Sequence, residues 1–297
     1  MNGTVKRTLK EKTQGYFFIL PAVLMLGLFY VYPFFKVLQL SFFDWDGISK
    51  TMSFVGFAQF TDVLFNNPTW WQSMGHAAYI TLLALTVQNG LALLLALFVD
   101  KGIKYGHIYR VIFFLPPVLS GIVVGLIWNW IFNGNYGFLN HMLTKVGLGD
   151  YVRSWLADPK TALTCVAIIH MWKGFGWGFI ILLAGLQNIP RSLYEAARID
   201  GASGWDVFRR VTVPLMIPVF VMVMILTVLG TMQIYDIIVS TTGGGPGYHT
   251  EVPVSRILAT MLGSSQFGYA CAMGLVFGVV LVTLSIMQMK ISKSMQQ

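Results

Sequence analysis

Four residues in the middle of one apolar run are the densest polar chemistry that this chain places at membrane depth. His170, Lys173, Gly174 and Trp177, within H-M-W-K-G-F-G-W-G, stand at i, i+3, i+4 and i+7 and so share one helix face. A lysine near a bilayer centre costs about 2.5–3.5 kcal/mol on insertion scales, so such a residue faces a watery cavity or a partner. Ammonium, imidazole and indole on one wall suit the holding of a negative or strongly hydrogen-bonding group. The plainer role stays open, with His170 and Lys173 bonding neighbouring helices and Trp177 packing. Thr227 and Thr231 share a face of the following run, and Pro116, Pro117 and Gly121 interrupt the preceding one, freeing backbone groups.

Bond-making chemistry has no such cluster. There is no G-x4-G-K-S/T phosphate loop, since Lys50-Thr51, Lys160-Thr161 and Lys293-Ser294 lack the preceding glycine. No H-E-x-x-H, C-x-x-C or G-x-S-x-G occurs, and the five histidines are scattered, so neither catalysis nor a metal site is expected. Acidic residues such as Asp44 and Asp158 read as solvated loop charges. Asp236, near the outer end of its run, is the one deep carboxylate; the spacing puts it at a different depth from Lys173.

The elements that must position these residues are membrane helices. Of 297 residues, 56% are hydrophobic and 11% charged. Six apolar runs, at about Phe17–Leu38, His76–Val99, Val111–Phe132, Thr161–Leu186, Leu215–Val239 and Gly268–Met289, each approach the roughly 20 residues that cross hydrocarbon. The first lacks a small-residue cleavage site after it and is expected to stay as a span. The thirty glycines suit close helix packing, and Cys165 and Cys271 both fall in apolar runs as packing residues. The expected fold is all-α integral membrane, with a lead over 1–15 and one transmembrane domain over 16–297.

Loop charge orients it. Lys6, Arg7, Lys10, Lys12, Lys101, Lys104, Arg110, Arg191, Arg198, Arg209, Arg210, Lys290 and Lys293 fall on one side; Lys50, Lys145, Arg153, Lys160 and Arg256 fall on the other. Thirteen against five puts the first side, with both termini, in the cytoplasm. The net charge of +8 is thereby accounted for without nucleic acid.

The longest folded-looking polar stretch, residues 190–214, lies on that side. Ser192 and Glu195 have the spacing of a capping box, predicting a short helix from about Leu193. Ala196 and Ala197 leave its surface flat for a partner's backbone, and Gly201 supplies a helix-ending positive φ. Ser203 and Asp206 repeat the cap spacing for a second short helix carrying Trp205, Phe208, Arg209 and Arg210, after which Pro214 resets the chain.

Glu195-Ala196-Ala197, three residues, Gly201, nine residues, Val211, one residue and Val213-Pro214 resembles the signature of membrane subunits of binding-protein-dependent ABC importers, E-A-A-x3-G-x9-I-x-L-P, with valine at both aliphatic positions. D-W-D-G at Asp44–Gly47, F-V-G-F-A-Q-F at Phe54–Phe60, T-G-G-G-P-G at Thr242–Gly247 and F-G-Y-A at Phe267–Ala270 resemble the outer segments of maltose-type carbohydrate permeases, extending the likeness to nearly the whole chain from Phe17. The glycine run is also simply a tight turn. The resemblance implies six transmembrane helices of the importer permease type and a cytoplasmic coupling helix in loop 190–214, where Ser192, Glu195, Ala196, Ala197, Gly201 and Pro214 meet an ATPase. It implies a second homologous permease, two ATP-binding cassette subunits, an external solute-binding protein and a sugar in a cell (inner or cytoplasmic) membrane. ATP and Mg would sit in the partner ATPases, so this chain needs no cofactor of its own. Aligned on Glu195, His170, Gly174, Trp177, Thr227 and Thr231 fall at the family's sugar-contacting positions, histidine and threonine replacing the usual amides; Pro117 and Gly121 follow from the leucine-proline segment. The substrate could instead sit in the partner permease. Glycerol-phosphate permeases share the pattern, and the rival from another class is an ion-coupled secondary transporter, for which Asp236 is the one deep carboxylate and no inverted repeat is evident.

Overall fold

The structure, a computed structural model, describes residues 9–295, with side chains over 18–291. Residues 1–8 of the expected lead, with Lys6 and Arg7, and the side chains of Lys10, Lys12 and Lys293 lie outside the described residues. Leu9 already belongs to the first helix, earlier than the expected start near Phe17.

Helices at Phe18–Leu40, Pro68–Asp100, Ala162–Gln187, Gly204–Met232 and Phe267–Ile291 are each long and apolar enough to cross a membrane. The pair Gly106–Val118 and Gly121–Ile131, bent by 95° at its break, is apolar enough together to count as a sixth when its two limbs are taken as one broken span. That break falls where Pro116 and Pro117 end a limb and Ser120 takes an extended backbone, as the prolines predict. The expected fifth span, Leu215–Val239, is corrected at both ends. Its helix starts at Gly204 and stops at Met232, and Asp236–Thr241 forms a separate short helix.

By packing, the chain divides into two units. One holds residues 1–66 and 259–276. Its span, Phe18–Leu40, has no buried residue within the chain. Beyond it, Phe43–Asp44 pairs antiparallel with Ser53–Phe54, and Gln59 Nε2 donates to the Phe43 carbonyl at 3.0 Å. The D-W-D-G segment is a turn built on Asp46, whose carboxylate accepts from the Ser49 hydroxyl (2.5 Å) and from the Ser49 and Ile48 amides. These bonds, the Ser49 hydroxyl foremost, hold the Asp46 carboxyl at about 2.

The other unit, residues 67–258 and 277–297, is organised around Ala162–Gln187, which lies between spans two, three and five. Ala92, Ala96 and Val99 of span two meet Phe179, Leu182, Leu183 and Leu186 of span four and Met216 and Val223 of span five in one buried cluster. Water does not drive these helices together in lipid, so fit does, and the small residues of spans two and four permit it. Span two begins at an Asn67 cap that accepts from the Trp70 amide at 2.9 Å, and it contains a π-turn at Ala84–Gln88. Its His76 Nδ1 lies 2.8 Å from the Glu251 carbonyl, tying it to the turn built on T-G-G-G-P-G, where Thr242 and Thr250 hydroxyls bond at 2.6 Å.

Candidate functional site

A cavity of ≈550 Å³ opens between spans two, four and five and the Asp236–Thr241 helix. His170, Lys173, Gly174 and Trp177 from span four and Thr227 and Thr231 from span five all line it, so the helical spacing read from the sequence delivers one wall and its neighbour. Trp177 is 56% exposed and makes a T-shaped contact with Phe114, ring centroids 5.0 Å apart. His170 Nε2 lies 3.2 Å from Thr231 Oγ1. The Thr231 proton goes to the Thr227 carbonyl at 2.7 Å, so the imidazole Nε2–H is the donor to Thr231.

Pro117 and Gly121 do not line the cavity. Pro117 is buried against Gly176 of span four, and Gly121 is the contact point for Asp236: a Cβ added at Gly121 would fall on the Asp236 carboxylate. Gly121 and Gly125 together receive Asp236 and Ser240, and Asn129 Nδ2 donates to the Ser240 carbonyl at 2.6 Å. The broken third span thus seats the short helix that carries Asp236. Asp236 lines the same cavity as Lys173, and it starts a new short helix instead of continuing span five, which ends at Met232. Among the described residues the ion pairs are Arg210–Asp206 and Arg256–Glu251, so Lys173 and Asp236 share the cavity without pairing.

Sequence reasoning passed over two adjacent polar residues of span two. Gln88 ends the π-turn of span two and lines the cavity, and its neighbour Asn89 lies 3.2 Å from Thr227 Oγ1. The Thr227 hydroxyl donates to the Val223 carbonyl at 2.8 Å, so its oxygen is best served by the Asn89 amide nitrogen. The signal was available: Q-N in the middle of an otherwise apolar run is as unusual as the lysine in span four.

In the polar loop, helix Arg191–Ile199 is followed by Gly204–Val207 and a π-turn at Phe208–Thr212. The Ser192–Glu195 capping box is not formed. Pro190, with φ −58° and ψ 129°, is the N-cap, the helix starts at Arg191, and Ser192 already sits inside the first turn. Glu195 instead lines a groove of ≈1120 Å³ with Tyr194, Arg198, Asp100, Lys101 and Arg110. Ala196 is exposed and Ala197 half-buried. Gly201 has φ +79°, with its amide on the Arg198 carbonyl (3.1 Å) and the Ala202 amide on the Ala197 carbonyl (3.0 Å), the paired bonds of a Schellman end. The second box does form: the Ser203 hydroxyl accepts from the Asp206 amide, and the Asp206 carboxylate accepts from the Ser203 amide. Pro214 does not reset the chain. It stands where the π-turn gives way to α-helix, a change of hydrogen-bond register that tolerates a residue without N–H, and one helix runs on from Gly204 to Met232.

The family described as binding-protein-dependent transport system inner membrane component matches residues 88–297. The chain belongs to this family. The permease is 32% identical to the probable ABC transporter permease protein YurN of Bacillus subtilis (strain 168), covering 96% of this chain and 98% of that one. It is 30% identical to the multiple sugar-binding transport system permease protein MsmF of Streptococcus mutans serotype c, covering 99% of both. Its fold is that of a solved bacterial ABC transporter involved in the import of the acidic polysaccharide alginate, with TM-score 0.85 and 21% identity over 97% of this chain and 98% of that one. Membership places the permease in a multi-pass transport subunit of a binding-protein-dependent system, and not among ion-coupled secondary transporters.

Proposed function

We propose that this permease conducts an oligosaccharide across the cell membrane in an ATP-driven importer, and that the cavity lined by spans two, four and five is where the sugar passes. The observation that carries the reading is the unbroken helix Gly204–Met232: its first turn belongs to the polar loop, and its upper turns bear Thr227 and Thr231 of the cavity wall. Its 29 residues span roughly 43 Å at 1.5 Å per residue. Tyr194 of helix Arg191–Ile199 bonds Thr212 at its base, hydroxyl oxygens 3.3 Å apart. A push on the loop therefore has a stiff path to the cavity, which is what a two-state change from inward to outward opening needs.

In this reading loop 190–214 and both termini are cytoplasmic, following the loop charge. ATPase subunits dock there; Leu193, Ile199 and Trp205, 42%, 86% and 68% exposed, give them an apolar footing, while Glu195, Ala196, Ala197 and Gly201 shape the helix they meet. A second permease completes the pathway, and an external binding protein delivers the solute. ATP and Mg belong to the ATPases. The indole face of Trp177 suits the C–H face of a pyranose. The Lys173 ammonium favours a solute with a negative or strongly hydrogen-bonding group, since an opposite charge in a poorly screened site counts for far more than in water.

The test is co-purification followed by reconstitution. An ATPase and a second permease should accompany the chain, and ATP hydrolysis should rise with sugar-loaded binding protein. Glu195→Ala and Gly201→Val should insert normally and lose that stimulation. Transport by this chain alone, driven only by an ion gradient, would refute the proposal.

A further inference from the structure

We propose that Gln88, on span two, reads the solute: its terminal amide hydrogen-bonds one hydroxyl of the carried sugar. The proposal rests on the oligosaccharide reading above. Gln88 is 6% exposed, it lines the cavity, and its Oε1 is sealed from water without a hydrogen-bond partner. A buried amide oxygen left unbonded in an apolar span is a standing penalty, relieved when the terminal amide turns that oxygen to the cavity and a ligand donor meets it. The adjacent Asn89 is tied to Thr227 across the helix interface, whereas Gln88 has no such cross-helix tie at its oxygen and lines the cavity.

The surroundings are built to hold that amide. Gln88 closes the π-turn Ala84–Gln88, and such single turns inside α-helices recur at functional sites. Span four opposes it with Gly174, where a Cβ would stand 2.8 Å from Oε1 and 3.0 Å from Nε2. The amide therefore lies on bare backbone between the two spans. A half-turn about its terminal torsion exchanges oxygen and nitrogen while the stem stays in place, so Gln88 can offer the cavity an acceptor or donors. A hydroxyl is both donor and acceptor and fits either orientation. A carboxylate or ammonium does not need Gln88, because Lys173 and Asp236 line the same cavity.

The experiment uses the assembled complex in liposomes with saturating loaded binding protein. Probes are lactose, maltose, trehalose and the diuronate released from alginate, then the mono-deoxy analogues of whichever is carried. Gln88→Met keeps the volume and removes both polar atoms. Uptake of the parent sugar should fall about five- to tenfold, the worth of one neutral hydrogen bond, and the same fall should vanish for one mono-deoxy analogue. Gly174→Ala should reproduce that pattern by displacing the amide, which keeps the test open if the methionine variant fails to assemble. An equal fall for every analogue would make Gln88 structural and overturn the proposal. So would a fall that disappears in a Lys173→Met background, since Gln88 would then serve the lysine. An unsubstituted complex that carries every mono-deoxy analogue at the parent's rate overturns it with no variant at all. Failure of that complex to carry any probe overturns the sugar reading itself, and the Gln88 assignment with it.

Discussion

Gly201 offers the cleanest perturbation of the polar loop, because nothing but backbone conformation stands in the way. Its φ is +79°, and a Cβ added there meets no atom within 4 Å. A Cβ at this position meets no clash, so the cost of Gly201→Val is set by holding a β-branched residue in the left-handed region, about 1–2 kcal/mol. Helix Arg191–Ile199 has nine residues and no buried side chain, so it depends on its end bonds more than a packed helix would. A loss of 1–2 kcal/mol should open the Gly201 and Ala202 amide bonds roughly 5–30 times more often. Hydrogen exchange on the permease in nanodiscs, without ATPase, reads this directly. Gly201→Asn, which tolerates the left-handed region, should fall between glycine and valine. Unchanged exchange in the valine variant would refute the argument that this conformation holds the helix end.

Other outcomes follow from the same geometry. Ser203→Ala removes a formed cap and should loosen the first turn of Gly204–Val207 by about 0.5–2 kcal/mol, whereas Ser192→Ala should change exchange by less than about 0.5 kcal/mol; the reverse order would contradict the cap assignment. Cysteine at 170, 173 or 177, in a background lacking Cys165 and Cys271, should react with a water-soluble maleimide, while cysteine at the fully buried Phe179 should stay silent. Gly121→Val overlaps the Asp236 carboxylate and should lower thermal stability by an overpacking penalty of about 1–3 kcal/mol, relieved in part by Asp236→Gly. Lys173→Met should impair uptake of acidic more than of neutral oligosaccharides; equal rates, or a neutral natural substrate, would end the charge-matching idea.

The membrane spans were legible because apolar length alone dictates them, and the third span announced its break through Pro116 and Pro117. The face of span four was equally legible: a 3.6-residue period fixes which side chains share a wall, and the cavity takes His170, Lys173, Gly174 and Trp177 together. Periodicity is blind to where a helix stops inside the membrane. Span five carries no proline or glycine signal strong enough to mark its end at Met232, so Asp236 was extrapolated along a helix that it does not belong to. The Ser192 box failed for a local reason. Its spacing is shared by any helix whose second and fifth residues are serine and glutamate, and the backbone of Pro190 settles the start two residues earlier than Leu193. Gln88 and Asn89 were passed over because their run was read only for length.

The π-turns at Ala84–Gln88 and Phe208–Thr212 have a consequence for how the chain tolerates change in length. A π-turn holds one residue more than an α-turn while leaving the flanking helix in phase. Removing a single residue within either turn rewinds it to α pitch and keeps the faces above and below pointed as they were. The same deletion one turn later, in uniform α-helix, swings everything beyond it by about 100°. In span five that would carry Thr227 and Thr231 off the cavity wall. Two places in these long helices can therefore lose a residue and keep their wall, and neighbouring positions of the same composition cannot.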